Sequence, residues 1–168
     1  MTPEQAAGTF QFLLPTLEME HATTKRVIAA IPADHSSYTP DAKSQSADSL
    51  AWHIAASEQM FLHLVATGEF LNTPRPDSVA TPADIVAWYG EQRAANFAAV
   101  KQLSGEQLAR IVDFRGFFQL PAVAYLQFLL LHSSHHRGQL SAYLRPMGAK
   151  VPSIYGPSGD EDMPAPPK

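Results

Sequence analysis

Two histidines one helical turn apart, His132 and His136, lie in the middle of a long apolar segment from Pro121 to Arg145. If that segment is one helix, residues four apart stack on the same face, so both imidazoles point the same way and can share one metal ion. At about 100° per residue, Tyr125, Phe128, Leu129, His132, His136, Gln139, Leu140 and Tyr143 form one stripe with the two histidines near its centre. That stripe should face the core. His135 sits at its edge and Arg137 well off it, so both suit a shared inward site poorly. Two inward imidazoles one turn apart repel when charged and each need a partner when neutral, and a shared cation satisfies both conditions. Upstream, His53 lies within an apolar arc of Leu50, Ile54, Phe61, Leu64 and Val65, and it too should look inward. Trp52, Gln59 and His63 project from roughly the opposite side. A lone histidine on such an arc is more often a hydrogen-bonded core residue, but three that converge make a ligand set for zinc, nickel or another divalent ion. At least one position would stay open for water or substrate, as in catalytic rather than closed structural sites. His21, His35 and His63 are assigned to surface or loop, and Trp52 and Trp88 to packing.

The rest of the composition narrows the chemistry. Cysteine is absent, which excludes disulfides and a protein thiolate, so any thiol chemistry must use the substrate's sulfur. Ser133 stands where the H-E-x-x-H metalloprotease helix carries its glutamate, and the general base of that class is therefore missing. The formal charge is −4 and the 12 Lys and Arg are scattered, which argues against a nucleic-acid partner, because phosphate neutralisation needs clustered cations. No stretch reaches the roughly 18 apolar residues of a membrane span and no secretory signal is visible, so a cytoplasmic protein without a membrane partner is expected. Charged residues make up only 17%, a thin surface that hints at a covering partner.

The elements that must position these histidines read as helices. Thr2-Pro3-Glu4 can open a short helix, but Pro15 is expected to break or kink it, so the firm first helix runs from near Pro15 to Ile31. A polar loop from Ala33 to Gln45 precedes a second helix, capped by Ser46 or Asp48 and closed by Gly68, and long loops of this kind often frame a site. Thr81-Pro82-Ala83-Asp84 starts a third helix that runs to about Leu103 and ends at Ser104-Gly105. Between Glu106 and Leu120 the helical period fails, and Ile111 to Phe118 could form a short extended pair turning near Gly116. The fourth helix opens at Pro121 and closes before Pro146. A second apolar stripe on it, Val123, Leu126 and Leu130, must be covered by other helices or by a second subunit, and a homodimer is favoured. The expectation is an all-α four-helix bundle with long loops, forming one domain over residues 1–168 with its core at about 15–157 and a fraying tail from Pro157.

A family resemblance follows from these residues. The segment His132-Ser-Ser-His-His-Arg-Gly-Gln-Leu140, then Tyr143-Leu-Arg145, Gly148, Val151-Pro152 and Tyr155-Gly156, resembles the C-terminal signature of the DinB-like (DNA-damage-inducible) family. Tyr38-x-Pro40, Leu50-Ala-Trp-His53 with Glu58, and Gly68-Glu-Phe70 fit the same family, so the resemblance covers most of residues 15 to 157. It implies a DinB/YfiT-like bundle of unusual connectivity, commonly dimeric, with a divalent metal on His53, His132 and His136. Relatives with assigned activity are thiol-dependent: S-transferases for thiols such as bacillithiol, and mycothiol-dependent maleylpyruvate isomerases. The family is distinct from the DNA polymerase that shares its name. The leading expectation is an enzyme that activates a small-molecule thiol at an open three-histidine site and presents it to an electrophile. The alternatives are a metal-dependent hydrolase and a non-catalytic metal-binding stress-response protein. Tyr125, Gln139, Tyr143 and Tyr155 are candidates to line or cover the site.

Overall fold

The computed structural model describes residues 1–162, and in it helix α1 (Pro3–Ala29) opens at a capping box. The Thr2 side chain accepts from the Gln5 N–H while the Gln5 side chain accepts from the Thr2 N–H, and Pro3 occupies the first turn, where its missing N–H costs nothing. The helix runs unbroken through Pro15, contrary to the expected break. Pro15 lies on the exposed side, where the carbonyl it strands can be hydrated, and Phe10 and Leu17 are buried on either side of it. The packed core therefore begins at Ala6.

Helix α2 (Ala47–Thr67) is capped by Ser46 and ends at Gly68, whose φ of 85° is the left-handed cap that favours glycine. Helix α3 (Pro82–Lys101) opens on a second capping box, Thr81 with Asp84. Ser104 then caps a further short helix, α4 (Gly105–Ala109), rather than simply ending α3. Strands β1 (Ile111–Phe114) and β2 (Phe118–Pro121) pair antiparallel, with Phe114 opposite Phe118, around a turn in which Arg115 and Gly116 both have positive φ. Pro121 closes this hairpin, and helix α5 (Ala124–Leu144) starts three residues later.

Four long helices thus form the bundle, with α2 packed against α3 and α5, and α1 against α3, α4 and α5. The interior has two apolar clusters stacked along the helix axes. Phe10, Leu17, Phe61, Leu64, Phe97, Leu126 and Leu129 belong to one, and Val27, Ile28, Leu50, Ile54, Ile85, Leu140 and Leu144 to the other. Every long helix also contributes buried polar side chains: Glu20 and Thr24, Glu58 and Gln59, Arg93, and Ser133 and Arg137. These fall between the two apolar segments of each helix, so a polar layer crosses the bundle at mid-height. Within it Glu58 accepts from Arg93 Nε at 2.7 Å and from the Tyr89 hydroxyl, and Gln59 accepts from Asn96 at 2.9 Å. Burial, then the adjacent Glu58 carboxylate, holds the Tyr89 phenol well above its ordinary pKa, so it remains a donor.

Several expectations change here. Gln59 is buried, because α2 packs on two neighbours rather than one. His21 is not a surface residue: its Nδ1 lies 3.5 Å from Glu58 and its ring centroid 4.3 Å from that of Tyr89. Of the stripe that motivated a dimer, Val123 and Leu126 are fully buried within this chain and Leu130 is partly buried against the same cluster. The start of the tail is tied down, with Glu161 paired to Arg26 at 2.6 Å and Asp160 to Arg145 at 3.1 Å. The fraying expected for residues 163–168 lies outside the described residues. Among the described residues no helix is long and apolar enough to cross a membrane.

Candidate metal centre

His53 on α2 and His132 and His136 on α5 come together at the level of the polar layer, all three half-buried. His53 Nε2 is 3.1 Å from His132 Nε2 and 3.2 Å from His136 Nε2. An ion about 2.0–2.1 Å from each nitrogen, with angles between about 90° and 109°, requires nitrogens about 2.8–3.4 Å apart, so the two His53 spacings fit a shared first-row ion, and all three nitrogens lie within 4.8 Å of one another. His136 Nδ1 lies 2.8 Å from Gln139 Oε1, one turn along α5. An amide oxygen only accepts, so with the amide in this orientation Nδ1 carries the proton and the Nε2 lone pair is turned to the triad. His132 Nδ1 is buried without a hydrogen-bond partner. One His53 Nε2–H can be shared between the other two Nε2 atoms only as a bifurcated bond, whereas a divalent cation takes all three lone pairs at once, so a cation suits the donor set well.

Electrostatics agree with neutral ligands. Burial first, then the neighbouring His136, lowers the His53 pKa; the same causes, with His53 and His135, take His132 from 6.5 to about 4. Between those two pH values the unfolded chain binds the His132 proton and the folded chain does not. The stability linked to this group is therefore complete above pH 6.5 and is lost as the pH falls towards about 4. Chelator-treated protein should show a declining Tm across that window, and His132→Leu should flatten the decline. An equal slope in the variant would place the acid sensitivity elsewhere.

Each histidine also lines a different cleft. His53 borders the largest of the three, about 400 Å³, with Trp52, Met60 and Phe70, and its outer wall is the loop after α2. That loop is pinned by an Arg75–Asp48 ion pair to the first turn of α2. His136 borders a cleft of about 270 Å³ with Lys43, Gln45, Gln139 and Tyr143. His132 borders a third, of about 230 Å³, walled by aromatic rings. The loop before α2 does frame the site, through Lys43 and Gln45.

Of the other expected residues, Gln139 orients a ligand, Tyr143 lines the His136 cleft and Tyr125 the aromatic one. Tyr155 is not brought to the triad; its hydroxyl donates to Glu20 at 3.0 Å on the other face of α5. His135 is exposed, His63 half-buried and His35 exposed, and none joins the triad. Trp52 packs on Trp88 with ring centroids 4.6 Å apart, and it also borders the His53 cleft. Arg137, off the histidine stripe and outside the triad, is 1% exposed and paired with Glu20, so α5 presents a polar inward group on both faces.

A helical bundle that closes three imidazoles around one point in this way is matched by the DinB family model over residues 9–164, and the chain belongs to that family. It is 33% identical over 131 residues to the uncharacterised protein YjoA of Bacillus subtilis, covering 74% of this chain and 82% of that one. To the uncharacterised protein YrdA of the same organism it is 27% identical over 158 residues, covering 91% and 92%. The crystal structure of YjoA, a DinB-like protein, superposes with a TM-score of 0.66 over 82% of this chain and 94% of that one, at 27% identity. A DinB-like protein from Bacillus cereus shares the fold with a TM-score of 0.74, covering 85% and 95% at 23% identity.

Proposed function

We propose that the chain is a metal-dependent transferase that activates a low-molecular-weight thiol at the His53–His132–His136 centre. The observation that carries this reading is the half-open triad at the meeting of three clefts, in a chain without cysteine. His53, His132 and His136 would hold a zinc, nickel or similar ion, which would supply Lewis acidity to lower the pKa of a bound thiol. The chain's own residues do the rest. Gln139 holds His136 in the tautomer that offers Nε2. Lys43 and Gln45 give the His136 cleft a polar lining suited to a thiol that carries anionic or hydroxyl groups. The aromatic wall beside His132 keeps water from one side of the centre. In the overall step the thiol proton passes to solvent, an S–C bond forms, and the electrophile's leaving group departs with its bonding pair.

A hydrolase reading has less support. Among the described residues that line the three clefts there is no Asp or Glu to take a proton from an attacking water. The test is a panel of bacterial thiols, each paired with a general electrophile, run with metal-loaded native protein and with His136→Ala. Turnover that needs the thiol and falls at least about a hundredfold in the variant is expected. Turnover that proceeds without thiol would defeat the transferase reading.

A further inference from the structure

The third cleft differs from the other two in chemistry. Phe61 from α2, Phe114 and Phe118 from the hairpin, and Tyr125, Phe128 and His132 from α5 make its walls. Phe114 is its keystone, stacked between Phe61 at 6.0 Å and Tyr125 at 5.8 Å, with interplanar angles of 13° and 22°. The His132 ring meets Phe61 edge-on at 5.8 Å and closes the inner end. Among the described residues no charged side chain lines the cleft. The one hydroxyl, on Tyr125, is already committed, donating to the Val112 carbonyl at 2.9 Å. An occupant therefore gains apolar contact and forfeits any polar group it brings in.

Size narrows the class further. Apolar cavities of about 150 Å³ accept benzene. A volume of about 230 Å³, in a cleft open at its mouth, has room for one ring with a short substituent. At the mouth, Phe118 and Phe128 are 48% and 37% exposed, apolar surface that such an occupant would cover.

We infer that this cleft is a binding site for an uncharged, single-ring aromatic or equally compact apolar group. Under the thiol-transfer reading, on which this assignment of role rests, that group is the body of the electrophile. His132 is both the inner wall of the cleft and a member of the triad, so a ring seated there holds a benzylic carbon beside the position where the thiol sulfur would sit. For a benzylic halide, the S–C bond forms as the C–halogen bond breaks, halide leaves with the electron pair, and the thiol proton goes to solvent.

The test measures binding without turnover, so it stands apart from the fate of the thiol reading. Metal-loaded protein is titrated with toluene, in the absence of thiol, by calorimetry or aromatic NMR shifts. Saturable binding to native protein is expected, weakened at least about tenfold by Phe118→Asp, which sets a carboxylate at the mouth. Phe12→Asp, on α1 where Phe12 is 82% exposed, should bind as native and controls for non-specific association. If Phe118→Asp fails to fold, as read by its far-UV circular dichroism, Phe128→Asp takes its place as the probe of the mouth. Absence of saturable toluene binding in native protein would overturn the assignment, as would equal affinities in native protein and a folded mouth variant.

Discussion

His132→Ala should reduce metal content from about one divalent ion per chain to near zero, read by elemental analysis after dialysis against a low concentration of zinc or nickel. The reason is geometric. His132 and His136 are locked one turn apart on α5, and removing one leaves two imidazoles from different helices, with no carboxylate among the described cleft-lining residues to replace the lost nitrogen. His53→Ala should do the same from the other side. His63→Ala, on α2 but outside the triad, should bind as native. Gln139→Leu tests the orienting contact separately: with the Nδ1 proton released from its acceptor, affinity should fall about 10–100-fold while stoichiometry at saturation stays at about one. A thermal readout accompanies these measurements. At free metal about 100-fold above Kd, linkage contributes about 2.7 kcal/mol. For a chain of 168 residues that raises Tm by about 5–11 °C, an increment His132→Ala should lack. Equal metal content in native and His132→Ala protein would remove the assignment.

The triad was legible because the signal for two of its members is local. His132 and His136 need only a helix for their spacing to mean proximity, and α5 is apolar enough around them to be recognised as one. His53 required more, since its place beside α5 depends on which helices are neighbours, and the family resemblance rather than the periodicity supplied that. The aromatic cleft was beyond reach. Its floor depends on Phe114 stacking between rings from two helices, and that follows from the hairpin register, which pairs Phe114 with Phe118. Periodicity recognises a strand pair but not the surface it will lie against.

Pro15 and Arg137 show two limits of reading residues one at a time. A proline inside a helix costs most where the carbonyl it strands is cut off from water, and Pro15 lies on the exposed side, so α1 tolerates it. Arg137 had a visible signal that went unused. Val123, Leu126, Leu130, Ser133, Arg137, Leu140 and Leu144 follow alternating three- and four-residue steps along one face of α5. The second apolar stripe thus continues straight through Arg137. An arginine on such a stripe marks a buried ion pair whose partner lies elsewhere in the chain.

That partner is Glu20, and Glu20→Ala should be the most destabilising single substitution in the polar layer. Arg137 is 1% exposed, and besides Glu20 its guanidinium reaches the Thr24 hydroxyl at 3.1 Å, the Glu20 carbonyl at 3.3 Å and the Tyr155 hydroxyl. Removing the carboxylate keeps the buried cation but takes away its counter-charge, a change that costs about 3–5 kcal/mol. At about 2–4 °C per kcal/mol for this chain length, Tm should fall by about 6–20 °C. The alternative view is that the neutral acceptors alone sustain Arg137, in which case the loss stays below about 1 kcal/mol. Denaturant unfolding of Glu20→Ala, compared with Glu20→Leu/Arg137→Met, separates the two. Deleting both charges leaves no buried ion to compensate, so the double variant should recover most of the stability. A double variant no more stable than Glu20→Ala would mean that Arg137 matters through its packing and its contacts with Thr24 and Tyr155 rather than through its charge.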